Sequence, residues 1–145
     1  MTTIDVAEAT RLREAIMSVA RAARTHRPDH GLPLTQITVL GYLDRSGTTT
    51  VAALADRMHV RVQSLTVSMN KLDDAGLIVR RTDPLDRRRQ LVELTEAGRA
   101  LILDDRAQRD AWLAQSFADN FDDTERGLMM LCVPLFERLA TERSR

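Results

Sequence analysis

Hydrophobic positions repeat with helical spacing at both ends of the chain and follow shorter patterns in its middle. Near the start, Leu12, Ile16 and Val19 lie on one stripe, which predicts a first helix that ends before His26. Towards the other end, Thr95 is a suitable N-cap for a long helix. The apolar stripe of that helix recurs every three or four residues, at Leu103, Ala107, Ala111, Ala114, Ala118 and Phe121.

The last helix has a clear start and an interruption. Asp122, with Glu125 three residues later, forms the aspartate version of a capping box. The apolar stripe that follows consists of Leu128, Leu131, Leu135 and Leu139. Pro134 lies within this stripe and is expected to bend the helix, because proline cannot donate the helical hydrogen bond.

Three shorter helices are predicted in the middle of the chain. The first covers residues 33–45, and Thr49 and Thr50 cap the second. The third covers residues 62–75 and ends at Gly76, which suits the left-handed position after a helix.

Two strand-like runs follow these helices, at residues 77–79 and 91–94, with a charged segment at 80–90 between them. A helix, a short turn, a helix and then a β-hairpin with a charged tip form a winged helix-turn-helix. The fold class predicted is therefore mainly α with a small β-hairpin wing. We expect one domain over 1–145, with the winged helix-turn-helix at 33–98.

The remaining segments, 1–30 and 99–145, are predicted to be dimerisation helices. Trp112, Leu113 and Phe117 give the fifth helix a second apolar face beside its first stripe. A helix that is apolar on more than one face needs more than one partner. An intertwined homodimer satisfies that need, and a bundle within one chain is the alternative.

Composition limits the class of protein. A length of 145 residues suits one domain, and the single cysteine excludes a disulfide framework. No apolar run is long enough to span a membrane, and residues 1–5 lack the features of a signal peptide. We therefore expect a cytoplasmic protein.

The charge of the chain is balanced but unevenly distributed. There are 21 basic and 21 acidic residues, and a net charge of zero argues at face value against a nucleic-acid partner. However, residues 45–98 carry nine basic and seven acidic residues, whereas 99–145 carry seven and nine. Residues 79–90 include five arginines but only two aspartates. Because binding depends on where charge lies, a nucleic-acid partner remains open.

The second helix of a helix-turn-helix enters the DNA major groove. Arginine can donate two bonds to guanine, asparagine and glutamine can pair with adenine, and hydroxyl groups reach phosphates or bases. The alternative is an ordinary solvated helix face. The candidate DNA-binding residues of this helix are Arg61, Gln63, Ser64, Thr66, Asn70 and Lys71.

The arginines of the hairpin strengthen this interpretation. A wing beside a recognition helix can insert an arginine into the neighbouring minor groove, where a narrow A·T-rich groove has enhanced negative potential. A solvated turn, or a winged helix that contacts only proteins and does not bind DNA, is the alternative.

The hairpin has an Asp-x-Arg tip at 86–88, and Leu-Thr-x-x-Gly follows at 94–98. In this motif the sequence resembles the MarR family of bacterial transcriptional regulators. Residues 83–98 (DPLDRRRQLVELTEAG) are similar to the wing of that family, an Asp-x-Arg tip followed by a strand and Leu-Thr-x-x-Gly. Residues 72–80 are similar to its entry into the wing, residues 50–55 to the helix before the turn, and residues 36–40 to the preceding helix. The resemblance covers essentially the whole chain.

This resemblance implies a homodimeric DNA-binding regulator that binds a palindromic operator in double-stranded DNA, with repression as its expected action. By position, it implies that Arg88 is the minor-groove arginine and that Asp86 pairs with it and orients it. Arg87 and Arg89 would contact phosphates. Val67 departs from the family pattern, in which a basic residue is common, so the base preference of relatives does not carry over.

The resemblance also implies a small-molecule effector, with an apolar or aromatic acid in a crevice between the dimer helices and the winged domain as the default. Tyr42, Arg24 or Arg27 could pair with its carboxylate, although ordinary packing is the favoured interpretation of each. Cys132 is expected to be a core residue rather than a redox sensor.

No cofactor is expected from the sequence. His26 and His30 flank a proline without a cysteine or glutamate cluster, so no metal site is expected, and His59 is expected in the turn. No motif of a nucleophile, phosphate loop or metalloprotease is present, so an enzyme is not expected.

Overall fold

The computed structural model describes residues 4–141, and within them it contains six helices and three strands. Their bounds are α1 (Val6–Thr25), α2 (Leu34–Ser46), β1 (Thr49–Thr50), α3 (Val51–Arg57), α4 (Val62–Asp74), β2 (Ile78–Thr82), β3 (Gln90–Leu94), α5 (Glu96–Asn120) and α6 (Asp123–Thr141). The mainly α fold with a small β wing is therefore confirmed.

Side-chain caps start four of the helices. The predicted caps are confirmed, because Thr50 accepts from the Ala53 amide over 3.1 Å and Thr95 accepts from the Gly98 amide over 3.0 Å. The predicted capping box of α6 forms in both directions between Asp122 and Glu125. An equivalent box between Asp5 and Glu8 starts α1 and was not predicted.

The sheet has three antiparallel strands in the order β1-β3-β2, rather than the two strands of the predicted hairpin. Thr49 and Thr50 were predicted only as a cap, but they also pair with Val92 and Leu91. A strand of two residues is too short to show a hydrophobic period, so the sequence pattern could not reveal it.

The described chain divides into two compact units. Arg27–Ala107 forms the first and contains the winged helix-turn-helix, whereas 4–26 and 108–141 form the second. The first unit has a continuous apolar core in which helices, sheet and the start of α5 meet. That core comprises Ile37, Val39, Leu40, Leu43, Leu54, Ala55, Leu65, Met69, Leu72, Leu77, Ile78, Val92 and Ile102.

The second unit leaves its apolar side chains uncovered in a single chain. No residue of α1 or α6 is buried, and Leu131 of α6 is 70% exposed. The ring of Trp112 on α5 stacks on His26 with centroids 4.5 Å apart. Pro134 lies inside α6, and the helix continues on both sides of it. The bend of the helix expected at this proline stays a prediction. Across residues 4–141, no helix is both long and apolar enough to cross a membrane.

Candidate nucleic-acid interface

The helix α4 has one buried and one exposed face. Leu65, Met69 and Leu72 anchor it in the core, each less than 2% exposed. All six residues predicted to contact DNA from this helix are exposed, namely Arg61, Gln63, Ser64, Thr66, Asn70 and Lys71. Val67 is 62% exposed on the same helix, so an apolar group is available among the polar ones.

Two of these side chains already have partners within the protein. The hydroxyl of Thr66 donates to the Val62 carbonyl of its own helix over 3.2 Å. Asn70 accepts a hydrogen bond from Arg80 of β2 over 2.9 Å. Arg61 precedes the helix as its N-cap residue but makes no side-chain capping bond.

The turn between α3 and α4 places His59 in the left-handed region, with a φ of 53°. The His59 amide donates to the Asp56 carbonyl over 3.0 Å, which closes the turn. The predicted location of His59 in the turn is confirmed, and its side chain is exposed there.

Two aspartates shape the tip of the wing by accepting backbone amides. The Asp83 carboxylate accepts from the Leu85 amide over 2.8 Å, and the Asp86 carboxylate accepts from the Arg88 amide over 3.0 Å. Aspartate side chains commonly accept a hydrogen bond from the backbone amide two residues further on in tight loops. The tip therefore has a defined backbone that presents the arginines beside it.

The ion pair expected between Asp86 and Arg88 is instead made with Arg89. Its Nε lies 3.3 Å from Oδ2 of Asp86, while Asp86 touches Arg88 only through the main chain. The physical reason is that Oδ1 is used in closing the turn, which leaves Oδ2 beside Arg89, three residues further along the chain. Asp86 thus fixes the backbone of Arg88 rather than its guanidinium.

A groove of about 650 Å³ runs between the helix-turn-helix and the wing. Arg88 and Arg89 line it from the wing, and Arg80 lines it from β2. The helical side is formed by small or apolar residues, and the complete lining is Thr50, Val51, Ala52, Val62, Thr66, Met69, Arg80, Arg88, Arg89 and Gln90. Arg87, although exposed, does not line this groove.

Arg80 is the residue to which sequence reasoning gave no role. Its Nε lies 2.9 Å from Oδ2 of Asp73, and its Nη2 lies 2.9 Å from Oδ1 of Asn70. A signal was present, because alternate residues of a strand share a face. Counting from the buried Ile78, Arg80 falls on the face of β2 that packs towards the core.

The residues considered for an effector carboxylate have structural partners instead. Arg24 donates to the Ala20 carbonyl, and the Tyr42 hydroxyl donates to the Arg57 carbonyl. Arg27 and His30 both contact Asp105. Cys132 is half-buried. Within residues 4–141, no three histidine, cysteine or acidic side chains are grouped as metal ligands would be.

Comparisons with known proteins give this arrangement its context. A model of the MarR family matches residues 30–89. An uncharacterised HTH-type transcriptional regulator of Mycobacterium bovis is 33% identical over 138 residues, which are 95% of this chain and 96% of that relative. The chain belongs to the MarR family. It is accordingly a DNA-binding transcriptional regulator with a winged helix.

Solved structures agree with this membership. A proposed transcriptional regulator of Pseudomonas aeruginosa superposes with a TM-score of 0.86 at 33% identity, covering 97% of this chain and 98% of its own. A MarR family protein of Bacillus stearothermophilus has a TM-score of 0.81 at 22% identity, covering 96% and 99%. The second likeness concerns the fold alone. MarR family regulators bind DNA as dimers.

Proposed function

We propose that this protein is a homodimeric repressor that binds a palindromic operator, with α4 in the major groove and the wing in the adjacent minor groove. The observation that carries the proposal is the groove between α4 and the wing, where Arg88 and Arg89 lie across from Val62 and Thr66 of the helix. The protein needs no catalytic chemistry for this role. It would act in the cytoplasm, the compartment that holds bacterial DNA.

Each part of the interface has a distinct proposed task. Arg88 enters the minor groove, since Asp86 fixes its backbone without engaging its guanidinium. Arg87 and Arg89 contact phosphates on either side. Base edges are read from α4, where Val67 is suited to the methyl group of thymine and the polar residues to hydrogen-bonding edges.

The homodimer is proposed from the apolar surface of α1 and α6. Monomeric proteins seldom expose large contiguous apolar patches, and such patches usually mark an interface. In α6 the exposed apolar side chains include Leu128, Met130, Leu131, Leu135 and Leu139. A twofold dimer would cover them with the same surface of the partner and would match the symmetry of a palindrome.

We further propose that a small apolar or aromatic acid releases the DNA. The groove combines an apolar floor at Val51 and Met69 with the wing arginines Arg88 and Arg89. An apolar anion bound there would compete with DNA phosphates for the same cations. Benzoate added to the protein–DNA complex is expected to lower the apparent affinity, and an unchanged affinity at saturating benzoate would contradict control by this class of ligand.

The DNA contacts are tested by a binding titration. A duplex is first selected from a random library with the wild-type protein, and fluorescence anisotropy then gives its affinity at several salt concentrations. Arg88→Ala should weaken binding by about 1–3 kcal/mol, mainly at A·T-rich flanks. The affinity of the wild type should also fall steeply with salt, because phosphate contacts release counterions.

Arg13→Ala is the matched control, since it removes the same charge from α1, in the unit that does not contain the helix-turn-helix. It should leave the affinity almost unchanged. Equal affinities of Arg88→Ala and the wild type would overturn the role of the wing. Failure of the wild type to select any duplex would overturn the proposed function as a whole and favour a protein-binding module.

A further inference from the structure

The amide of Asn70, on the exposed face of α4, is held by an arginine from the wing strand. Nη2 of Arg80 lies 2.9 Å from Oδ1 of Asn70. A guanidinium group carries only donors, so the amide atom that faces it must be the carbonyl oxygen. The usual ambiguity between the oxygen and nitrogen of an asparagine amide is thereby resolved chemically. The NH₂ group of Asn70 is left as the part available to a ligand.

Arg80 itself is held in place by a second bond. Its Nε donates to Oδ2 of Asp73 over 2.9 Å, so that two sides of the planar guanidinium fork are fixed at once. The side chains of Arg80 and Asp73 are 24% and 34% exposed, respectively. Because Asp73 balances the charge of Arg80, the pair offers little net attraction to a phosphate. This distinguishes Arg80 from Arg88, whose guanidinium has no such partner among the described residues.

We propose that Arg80 is a positioning residue that fixes Asn70 as a hydrogen-bond donor towards DNA. Asn70 would then bind an acceptor atom: O6 or N7 of guanine, O4 of thymine, or a phosphate oxygen. Two-bond pairing with adenine needs the amide oxygen to accept as well as the nitrogen to donate, and Arg80 already holds one of the two lone pairs of that oxygen, which favours recognition through the NH₂ group alone. The inference rests on the proposed placement of α4 in the major groove.

The coupling is tested with a charge-neutral double variant, Arg80→Ala with Asp73→Ala, on the duplex selected by the wild type. Asn70→Ala is expected to weaken binding about tenfold or more, as loss of a good base or phosphate contact does. If Arg80 acts through Asn70, the triple variant should bind no more weakly than Asn70→Ala alone. The proposal would be overturned if the losses of affinity in the double variant and in Asn70→Ala add up in the triple variant. It would also be overturned if the slope of log affinity against log salt concentration falls by about one in the double variant, because Arg80 would then contact phosphate directly.

The chain offers a matched control on the opposite face of the same strand. Arg81 pairs with Glu93 there, so Arg81→Ala with Glu93→Ala also removes one ion pair without changing the net charge. This control should bind the duplex as the wild type does, and urea unfolding of each variant verifies that the wing remains folded.

The class of acceptor is identified by single-base changes in the duplex. A loss on Asn70→Ala that disappears only when one guanine is replaced by 7-deazaguanine, which lacks N7, or by 2-aminopurine, which lacks O6, or when one thymine is replaced by cytosine, assigns a base acceptor. A loss that is the same on every duplex assigns a phosphate oxygen. A loss that depends on one adenine and its amino group would overturn the proposal. As long as the wild type binds the selected duplex, a failure of this inference is distinguished from a failure of the proposed function.

Discussion

Asp105 on α5 is a carboxylate with no solvent exposure, and it fastens the segment that follows α1. Nε of Arg27 lies 3.5 Å and Nε2 of His30 lies 3.2 Å from the same oxygen, Oδ1. The His30 ring is oriented by its other nitrogen, which accepts from the Leu32 amide over 3.2 Å. A buried carboxylate is tolerated only with such partners, because an unpaired buried charge is strongly destabilising.

Asp105→Ala is therefore expected to lower the free energy of unfolding by about 3 kcal/mol, since it leaves the mostly buried cationic side chain of Arg27 with one partner fewer. Asp110→Ala, an exposed aspartate on the same helix, should change it by less than about 0.5 kcal/mol. Urea unfolding at one fixed protein concentration measures both. Similar values for the two variants would show that the Asp105 contacts contribute little.

Residue-scale roles were only partly predictable. The chemistry of the arginines at 87–89 could be inferred from their types, because position in a charged hairpin tip needs no tertiary information. The contacts of Asp86 with Arg89, and of Arg80 with Asn70, depend on turn geometry and strand register. The burial of Asp105 could not be predicted, since an acidic residue in a helical pattern gives no sign that residues 27–30, far away in the chain, will contact it.

At the scale of elements, the start of α5 is held against the residues that lead into β2. Thr95 caps the helix, its hydroxyl donates to the Gly76 carbonyl over 2.7 Å, and its amide donates to the Leu77 carbonyl over 3.1 Å. A Cβ on Gly98 would lie 2.1 Å from that same Leu77 oxygen. The Leu-Thr-x-x-Gly motif at 94–98 is thus explained by packing, because it joins the wing to α5 without room for a larger residue.

Gly98→Ala should accordingly lower the free energy of unfolding by about 2–3 kcal/mol, because backbone must shift to remove the overlap. Gly127→Ala is the matched control, since a Cβ there meets nothing within 4 Å and alanine favours the helix by about 0.5–1 kcal/mol. Urea unfolding should therefore show a lower free energy of unfolding for Gly98→Ala and a higher one for Gly127→Ala. Equal effects would contradict the close contact at Gly98.

Helix positions and caps could be predicted from the sequence because both depend on residues close together in the chain. Asp122 with Glu125, and Thr95, are examples in which the local signal matched the structure. β1 could not be predicted, since its pairing with β3 joins residues more than forty positions apart.

At the scale of the whole molecule, the zero net charge combines two opposing regions. The basic residues of the wing are concentrated beside the groove, while the C-terminal segment is mildly acidic. Non-specific attraction by the whole surface is therefore expected to be weak, and affinity for DNA should depend on the recognition helices and wings.

The proposed dimer gives a prediction at this scale. Leu131→Asp places a charge on the exposed apolar face of α6, and it should convert the dimer to monomers in analytical ultracentrifugation and reduce DNA affinity more than tenfold. Leu85→Asp, on a wing residue that is 95% exposed, should leave the dimer intact. A dimeric Leu131→Asp protein, or a monomeric wild type, would contradict the proposed interface.

The central claim, that two copies bind one palindrome through α4 and the wing, is tested most directly by a hydroxyl-radical footprint on the selected duplex. The wild type is expected to protect two symmetric half-sites with centres about 10 base pairs apart, together with flanking minor grooves. Arg88→Ala should lose the flanking protection alone. A single asymmetric footprint, or flanks that remain protected in Arg88→Ala, would contradict the claim.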